Sequence, residues 1–154
     1  MIYNALFLSQ LNYCNSVWSN SNDYCMNRLY RLQKKAIRII SGSHYLAHTE
    51  PIFLSLKCFN VFELNNYNIA IFMFLCHKGF IPTSLSNKFH FNFEIHSYGT
   101  RQSSHFHVPL IKTSVSKNSI FFKGPILWNE LPLHVRSSPT LNTFKRRYKQ
   151  LRFM

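Results

Sequence analysis

The sequence predicts a mostly α fold: a helical bundle, a small irregular or β-containing segment around 88–118, and a basic helix at the C-terminus. Three observations predict it. Residues 24–41 divide at helical spacing into an apolar and a cationic arc; residues 69–76 are apolar on nearly every face; residues 139–153 carry an apolar stripe beside a row of cations. A chain of 154 residues with 46% hydrophobic content is long enough for one ordinary core. Composition divides it into a helical region, 1–85, and a tail region, 86–154, that holds short strands, a Trp-containing corner and the basic helix.

Residues 2–18 predict a first helix, apolar at Leu6, Leu11, Cys14, Val17 and Trp18. "SNSND" (19–23) breaks it, and Ser21 or Asp23 can cap the next helix. In "YCMNRLYRLQKKAIRIIS" (24–41), Leu29, Leu32, Ala36, Ile37, Ile39 and Ile40 fall in the arc expected to be buried. Arg28, Arg31, Lys34, Lys35 and Arg38 fill the opposite arc without an acid among them, and Gly42 ends the helix. Pro51 fits the first turn of a short helix, "PIFLSLKCF".

A long central helix is expected from about 60 to 78, burying Phe72, Met73 and Leu75 and closed by Lys78 and Gly79; Pro82 begins a connector. Period-two stretches at His90–Ile95 and His105–Leu110 suggest short strands or an irregular clamp. Ser138 can cap and Pro139 open the last helix. Leu141, Phe144, Tyr148 and Leu151 form its apolar stripe; Lys145, Arg146, Lys149 and Arg152 lie beside the stripe, and Arg147 lies on the far flank.

Charge narrows the function. Lys and Arg number 18 against 5 Asp and Glu, a formal net charge of +13, although charged residues make up only 15% of the chain. A surface of one sign repels itself, and a polyanion relieves it. Nucleic acid and an anionic membrane both qualify; aromatic residues at 16%, alternating with the cations, favour nucleic acid. A solvated helix face usually mixes signs through i,i+4 pairs, so the single-sign arc on 24–41 reads as a rail for phosphates.

No segment reaches the ~18 uninterrupted apolar residues of a membrane span. The N-terminal stretch lacks the basic region and cleavage site of a signal peptide, and Cys14, Cys25, Cys58 and Cys76 lack a C-x-x-C pair. An intracellular protein of cytoplasm or nucleus, with reduced thiols, is expected.

Catalytic groups are hard to find. The five acids, Asp23, Glu50, Glu63, Glu94 and Glu130, stand far apart, so no carboxylate pair for divalent metals is read from the sequence. Cys76–His77 and His105–Phe106–His107 lack further ligands, and a surface pair is the expected reading of the two histidines. The four glycines are isolated, so no phosphate loop is read either, and no cofactor or small-molecule substrate is expected.

"LNYCNSVWSN" followed by "RLYRLQKKAIRIISG" resembles the segment after the polymerase palm in jockey-type non-LTR retrotransposon reverse transcriptases. "HSYGTRQS" (96–103) and "GPILWNELPLHVRSSPTLNTFKRRYKQL" (124–151) resemble the C-terminal tail of the same proteins, where a Gly-Pro-x-x-Trp-Asn-x-Leu-Pro block precedes a basic helix. The likeness covers almost the whole chain in order. It implies a thumb-like region followed by the tail, without the metal-binding palm that carries RNA-directed DNA polymerisation with Mg2+, and hence a region of a longer protein that does not catalyse alone.

The implied partners are an RNA or RNA–DNA duplex and the palm and fingers of the parent polymerase. The candidate nucleic-acid-binding residues are Arg28, Arg31, Lys34, Lys35, Arg38, Arg101, Lys145, Arg146, Lys149 and Arg152. The candidate structural anchors are Gly124, Pro125, Trp128, Asn129, Leu131 and Pro132: Gly124–Pro125 is expected to set the approach, Trp128 to fill the core and Pro132 to force a stop. Stacking on a base is the alternative role for Trp128. The alternatives for the whole chain are a structural remnant of a decayed element and an adopted nucleic-acid or chromatin adaptor.

Overall fold

The computed structural model describes residues 3–97 and 99–153, without the side chain of Ser114. Ile2, where the first predicted helix starts, and Tyr98 of "HSYGTRQS" lie outside the described residues. The fold is mostly helical, and no strand occurs among the described residues. The chain forms two compact units: the first runs to Asn68 and also takes in Phe153, and the second runs from Ile69 to Arg152. The boundary after Asn68 lies inside a helix.

In the first unit a π-helical turn, Asn4–Leu8, leads into α1 (Ser9–Asn12) and, after a break, α2 (Asn15–Trp18). The single helix predicted for 2–18 is thus interrupted at Cys14, whose φ is +47°. The Trp18 indole N–H donates to the Tyr13 carbonyl at 2.7 Å, so the break leaves that acceptor satisfied. Leu6 and Val17 are exposed, and the side chains this stretch buries are Tyr3 and Asn15. The expected apolar stripe is therefore not a core stripe.

Helix α3 spans Asp23–Ser41. Its cap is Asn22, whose side chain accepts from the Tyr24 N–H at 3.1 Å, in place of the predicted Ser21 or Asp23. Gly42 closes it at φ +64°, the left-handed geometry glycine adopts without a Cβ penalty. Its buried residues are Met26, Gln33, Ala36 and Ile37. Leu32 and Ile39, placed in the buried arc by the sequence, are 60% and 79% exposed, and Ile40 is exposed as well. The inward face is turned by roughly 60° from the predicted one.

The cause is Gln33. Its amide nitrogen donates to the Tyr3 hydroxyl at 2.6 Å and to the Phe59 carbonyl at 3.0 Å, and its amide oxygen accepts from the Val61 N–H at 2.8 Å. A fully satisfied amide can occupy a core, and it draws Met26 and Ile37 inward with it. Burial also pushes the Tyr3 phenol above its ordinary range.

Helix α4 (Thr49–Ser55) begins two residues before Pro51, which sits in its first turn, and packs Ile52 and Phe53 with Tyr3, Ile37 and Cys58. Helix α5 spans Val61–His77. Asn60 caps it by accepting from Phe62 N and Glu63 N, while Glu63 accepts from Asn60 N, a reciprocal capping box.

The second unit starts with the rest of α5, closed by Gly79 at φ +72°. There follow α6 (Thr83–Ser86), α7 (Asn92–Ile95), α8 (Ser114–Lys117), α9 (Ile120–Glu130), α10 (Leu133–Arg136) and α11 (Leu141–Phe153). Its core holds Ile69, Ala70, Met73, Phe74, Phe89, Phe106, Trp128, Leu131, Val135 and Phe144. Met73 is buried as expected, but Phe72 and Leu75 are only partly so. The inward stripe of α5 runs 69, 70, 73, 74, the i, i+1, i+4, i+5 spacing of one helix face.

The two expected strands reduce to one bridge, Phe91 with Phe106. Asn92 N–H donates to the His105 carbonyl at 3.0 Å and His107 N–H to the His90 carbonyl at 2.8 Å. Beyond it, residues 92–95 curl into α7, held by the Glu94 carboxylate accepting from Phe91 N–H at 3.0 Å. On the other side a side chain takes the place of a strand: Asn129 accepts from the Phe106 N–H at 3.0 Å and donates to its carbonyl at 2.8 Å.

The core predicts a ranking between neighbours on α5. Phe74 is 1% exposed and stacks on Phe144 at 4.7 Å, whereas Phe72 is partly buried against Phe89 at 5.8 Å. Phe74→Ala is expected to cost about 3–5 kcal/mol, and Phe72→Ala clearly less. Urea denaturation of both variants checks it; an equal or larger loss at Phe72 contradicts the assigned face.

Candidate nucleic-acid interface

The cationic arc of α3 is the most concentrated charged surface in the first unit. Arg28, Arg31 and Lys35 are exposed; Lys34 and Arg38 are half-buried. The half-buried pair is engaged within the chain: Arg38 Nε donates to the Ala47 carbonyl at 2.9 Å, and Lys34 Nζ stands 4.2 Å from the centre of the Tyr30 ring. Arg28 lies over the Tyr24 ring at 5.9 Å. Arg31 and Lys35 make no hydrogen bond or ion pair among the described residues, so their charges face solvent. Of the five predicted residues, these two and Arg28 are best placed for a phosphate; Arg38 fastens the loop after the helix.

In the second unit Arg101 is exposed and lines an open depression with Asn92, His96, Thr100 and Gln102. On α11, Phe144 is buried and Leu141 and Tyr148 half-buried, while Leu151, predicted for the same stripe, is 46% exposed. Lys145 and Arg152 are half-buried, and Arg146 and Lys149 exposed. Arg147, set apart on the far flank by its position, donates from one guanidinium nitrogen to the His134 carbonyl and to Ser138 Oγ. It clamps α11 to the turn after α10. Ser138 is fully buried with its hydroxyl on the Val135 carbonyl at 2.7 Å, so it finishes α10 and does not cap the last helix. The Thr140 hydroxyl serves there, accepting from Thr143 N–H at 3.3 Å.

The anchor residues behave differently from the expected corner. Gly124 and Pro125 lie inside α9, and the helix starts instead at Ser119, whose hydroxyl accepts from Phe121 N–H at 3.3 Å. Gly124 answers a packing need: a Cβ there would stand 2.7 Å from Met73 Sδ. Trp128 is 2% exposed, stacked on Phe144 at 6.0 Å and edge-on to Phe106 at 6.2 Å. It is a core anchor, and its burial removes the alternative of stacking on a base. Leu131 is buried and extended, the geometry imposed on a residue before proline, and so Pro132 stops the helix.

Compared with protein-family models, with curated proteins and with solved structures, the chain matches none. The retrotransposon likeness rests on the sequence motifs alone.

Two features escape sequence reasoning. Gln33 sits i+7 from Met26 and i−4 from Ile37, a polar residue on an apolar line, and that spacing is its signal. His77 rests beside Trp128 at 5.3 Å, Phe91 at 6.0 Å and Phe106 at 6.4 Å. His77 is exposed overall, yet desolvation where its ring meets these aromatics first, and then the charges of Lys78 and Arg136, hold its pKa below the usual 6.5. The unfolded chain therefore binds this proton more readily than the folded one. Stability is full above the ordinary histidine pKa and falls as pH drops through about 6.5 towards the lower folded value. Melting temperatures taken between about pH 7.5 and 5 should fall less steeply for His77→Phe than for the parent protein; parallel curves contradict the assignment.

Proposed function

We propose that the chain binds the backbone of template–primer nucleic acid as the non-catalytic C-terminal part of a non-LTR reverse transcriptase. The observation that carries this reading is the single-sign exposed arc of α3, with Arg31 and Lys35 unpaired beside Arg28. Phosphates neutralised by these side chains release condensed counterions, which gives sequence-tolerant and salt-dependent affinity. Lys145, Arg146, Lys149 and Arg152 on α11 and Arg101 supply further cationic contacts in this reading. The motif resemblance adds the family, and with it the inference that polymerisation and its Mg2+ belong to a palm carried elsewhere.

In the proposed setting the first unit also meets the palm or fingers of the parent polymerase, with exposed side chains such as Leu6, Tyr13 and Val17 available for that contact.

The test is affinity for an RNA–DNA hybrid with a single-stranded overhang, measured at several salt concentrations. Arg31→Glu with Lys35→Glu should weaken binding to all sequences alike. It should also flatten the slope of log K against log salt by about 0.7–0.9 per lost phosphate contact, roughly 1.5 in total. Both positions are exposed, so the melting curve should stay in place. A variant with unchanged affinity and slope would leave the arc a solvated face and favour the remnant reading.

A further inference from the structure

The rotation of α3 set by Gln33 leaves apolar side chains in water on the same side as its cations. At about 100° per residue, Tyr24 falls among the cations, between Arg31 and Lys35, and Ile39 and Leu32 come just past Arg28. Tyr24, Leu32 and Ile39 are 67%, 60% and 79% exposed. Each is a large apolar group held in water on the face that carries the positive charge. Nothing in a phosphate rail calls for them, since a duplex wall offers such a rail only phosphates and sugars, with the base faces stacked away inside.

Resting on the reading of α3 as a nucleic-acid face, we infer that this face takes an unpaired strand in preference to a duplex. An unpaired strand offers both chemistries at once: phosphates for Arg28, Arg31 and Lys35, and base faces for the apolar groups. The Arg28 guanidinium lies over the Tyr24 ring, 5.9 Å from its centre, and both are groups of the kind that stack on bases. Leu32 and Ile39 extend the apolar contact along the helix. From Tyr24 to Ile39 the axis advances about 22 Å at ~1.5 Å per residue. At ~3.4 Å per nucleotide of stacked strand that length serves about six nucleotides. Charge excludes an apolar partner without negative charge, which would leave the cations unmatched, and the exposed Tyr24 ring among those cations favours a nucleic acid, whose bases it can stack on.

The experiment uses the full chain with two probes, a 20-nucleotide oligouridylate that cannot pair with itself and a blunt 20-base-pair duplex, titrated at several salt concentrations. The expected result is at least tenfold tighter binding of the single strand. Tyr24→Ala with Leu32→Ser and Ile39→Ser should lower single-strand affinity roughly tenfold or more, within the range for losing one stacked base. The same variant should leave duplex affinity and both salt slopes unchanged, because the cations remain. Leu32→Ser with Ile39→Ser alone gives a milder version should the triple variant melt early. Equal or tighter duplex binding by the parent chain, or equal loss on both probes with an unchanged melting curve, overturns the preference while backbone binding stands. Binding of neither probe overturns the nucleic-acid reading of α3 and this inference together.

Discussion

One buried amide decides what the first unit can present. Gln33 joins α3 to Tyr3, to the Phe59 carbonyl and to the Val61 N–H, the first and otherwise unpaired donor of α5. A leucine there would remove the hydrogen bond Gln33 makes to the buried Val61 N–H, at a cost of about 1–3 kcal/mol. The amide therefore sets the rotation of α3 about its axis. Once Gln33 points inward, Ile37 and Met26 must go with it, and Arg31, Lys35, Leu32 and Ile39 must point out. The proposed binding face is the complement of a hydrogen-bonding requirement, which turns the cations and Leu32 and Ile39 to solvent together.

The second unit depends on a different device. Trp128 and Phe144 fill its core, but the polar order around them comes from Asn129, one residue along. With its carbonyl and amide groups it answers both backbone groups of Phe106, as a neighbouring strand would. The segment after Pro82 can then remain irregular without burying unpaired peptide groups. Gly124 allows α9 to approach Met73, and Arg147 fastens α11 through the His134 carbonyl. Motif and packing coincide here: the glycine, tryptophan, asparagine and second proline of "GPILWNELP" each have a distinct physical task.

Much of the helical content was legible because it depends on local signals. The asparagine before α3 and the glycines after α3 and α5 are punctuation that short-range rules read well, give or take one residue. Faces were less legible than elements. Counting apolar residues places Leu32 and Ile39 inside, since periodicity alone cannot weigh a glutamine with three partners against two aliphatic chains. The strands failed for a related reason: alternation at His90–Ile95 and His105–Leu110 is real, but the partner that satisfies Phe106 is a side chain 23 residues away. Of the candidate site, the cations of α3 are where the sequence placed them, while Arg38 and Lys34 are spoken for by Ala47 and Tyr30.

Everything proposed for α3 requires that Ile39 face solvent and Ile37 face the core. Thiol mapping measures this directly. With the exposed Cys14 and Cys25 replaced by serine, Ile37→Cys and Ile39→Cys are each treated with a thiol reagent under native and denaturing conditions. The account predicts that the thiol at 39 reacts within a few-fold of its denatured rate, while the thiol at 37 is slowed at least about tenfold by the cost of opening the fold. Protection at 39 with ready labelling at 37 would contradict the rotation set by Gln33, and with it the surface assigned to nucleic acid.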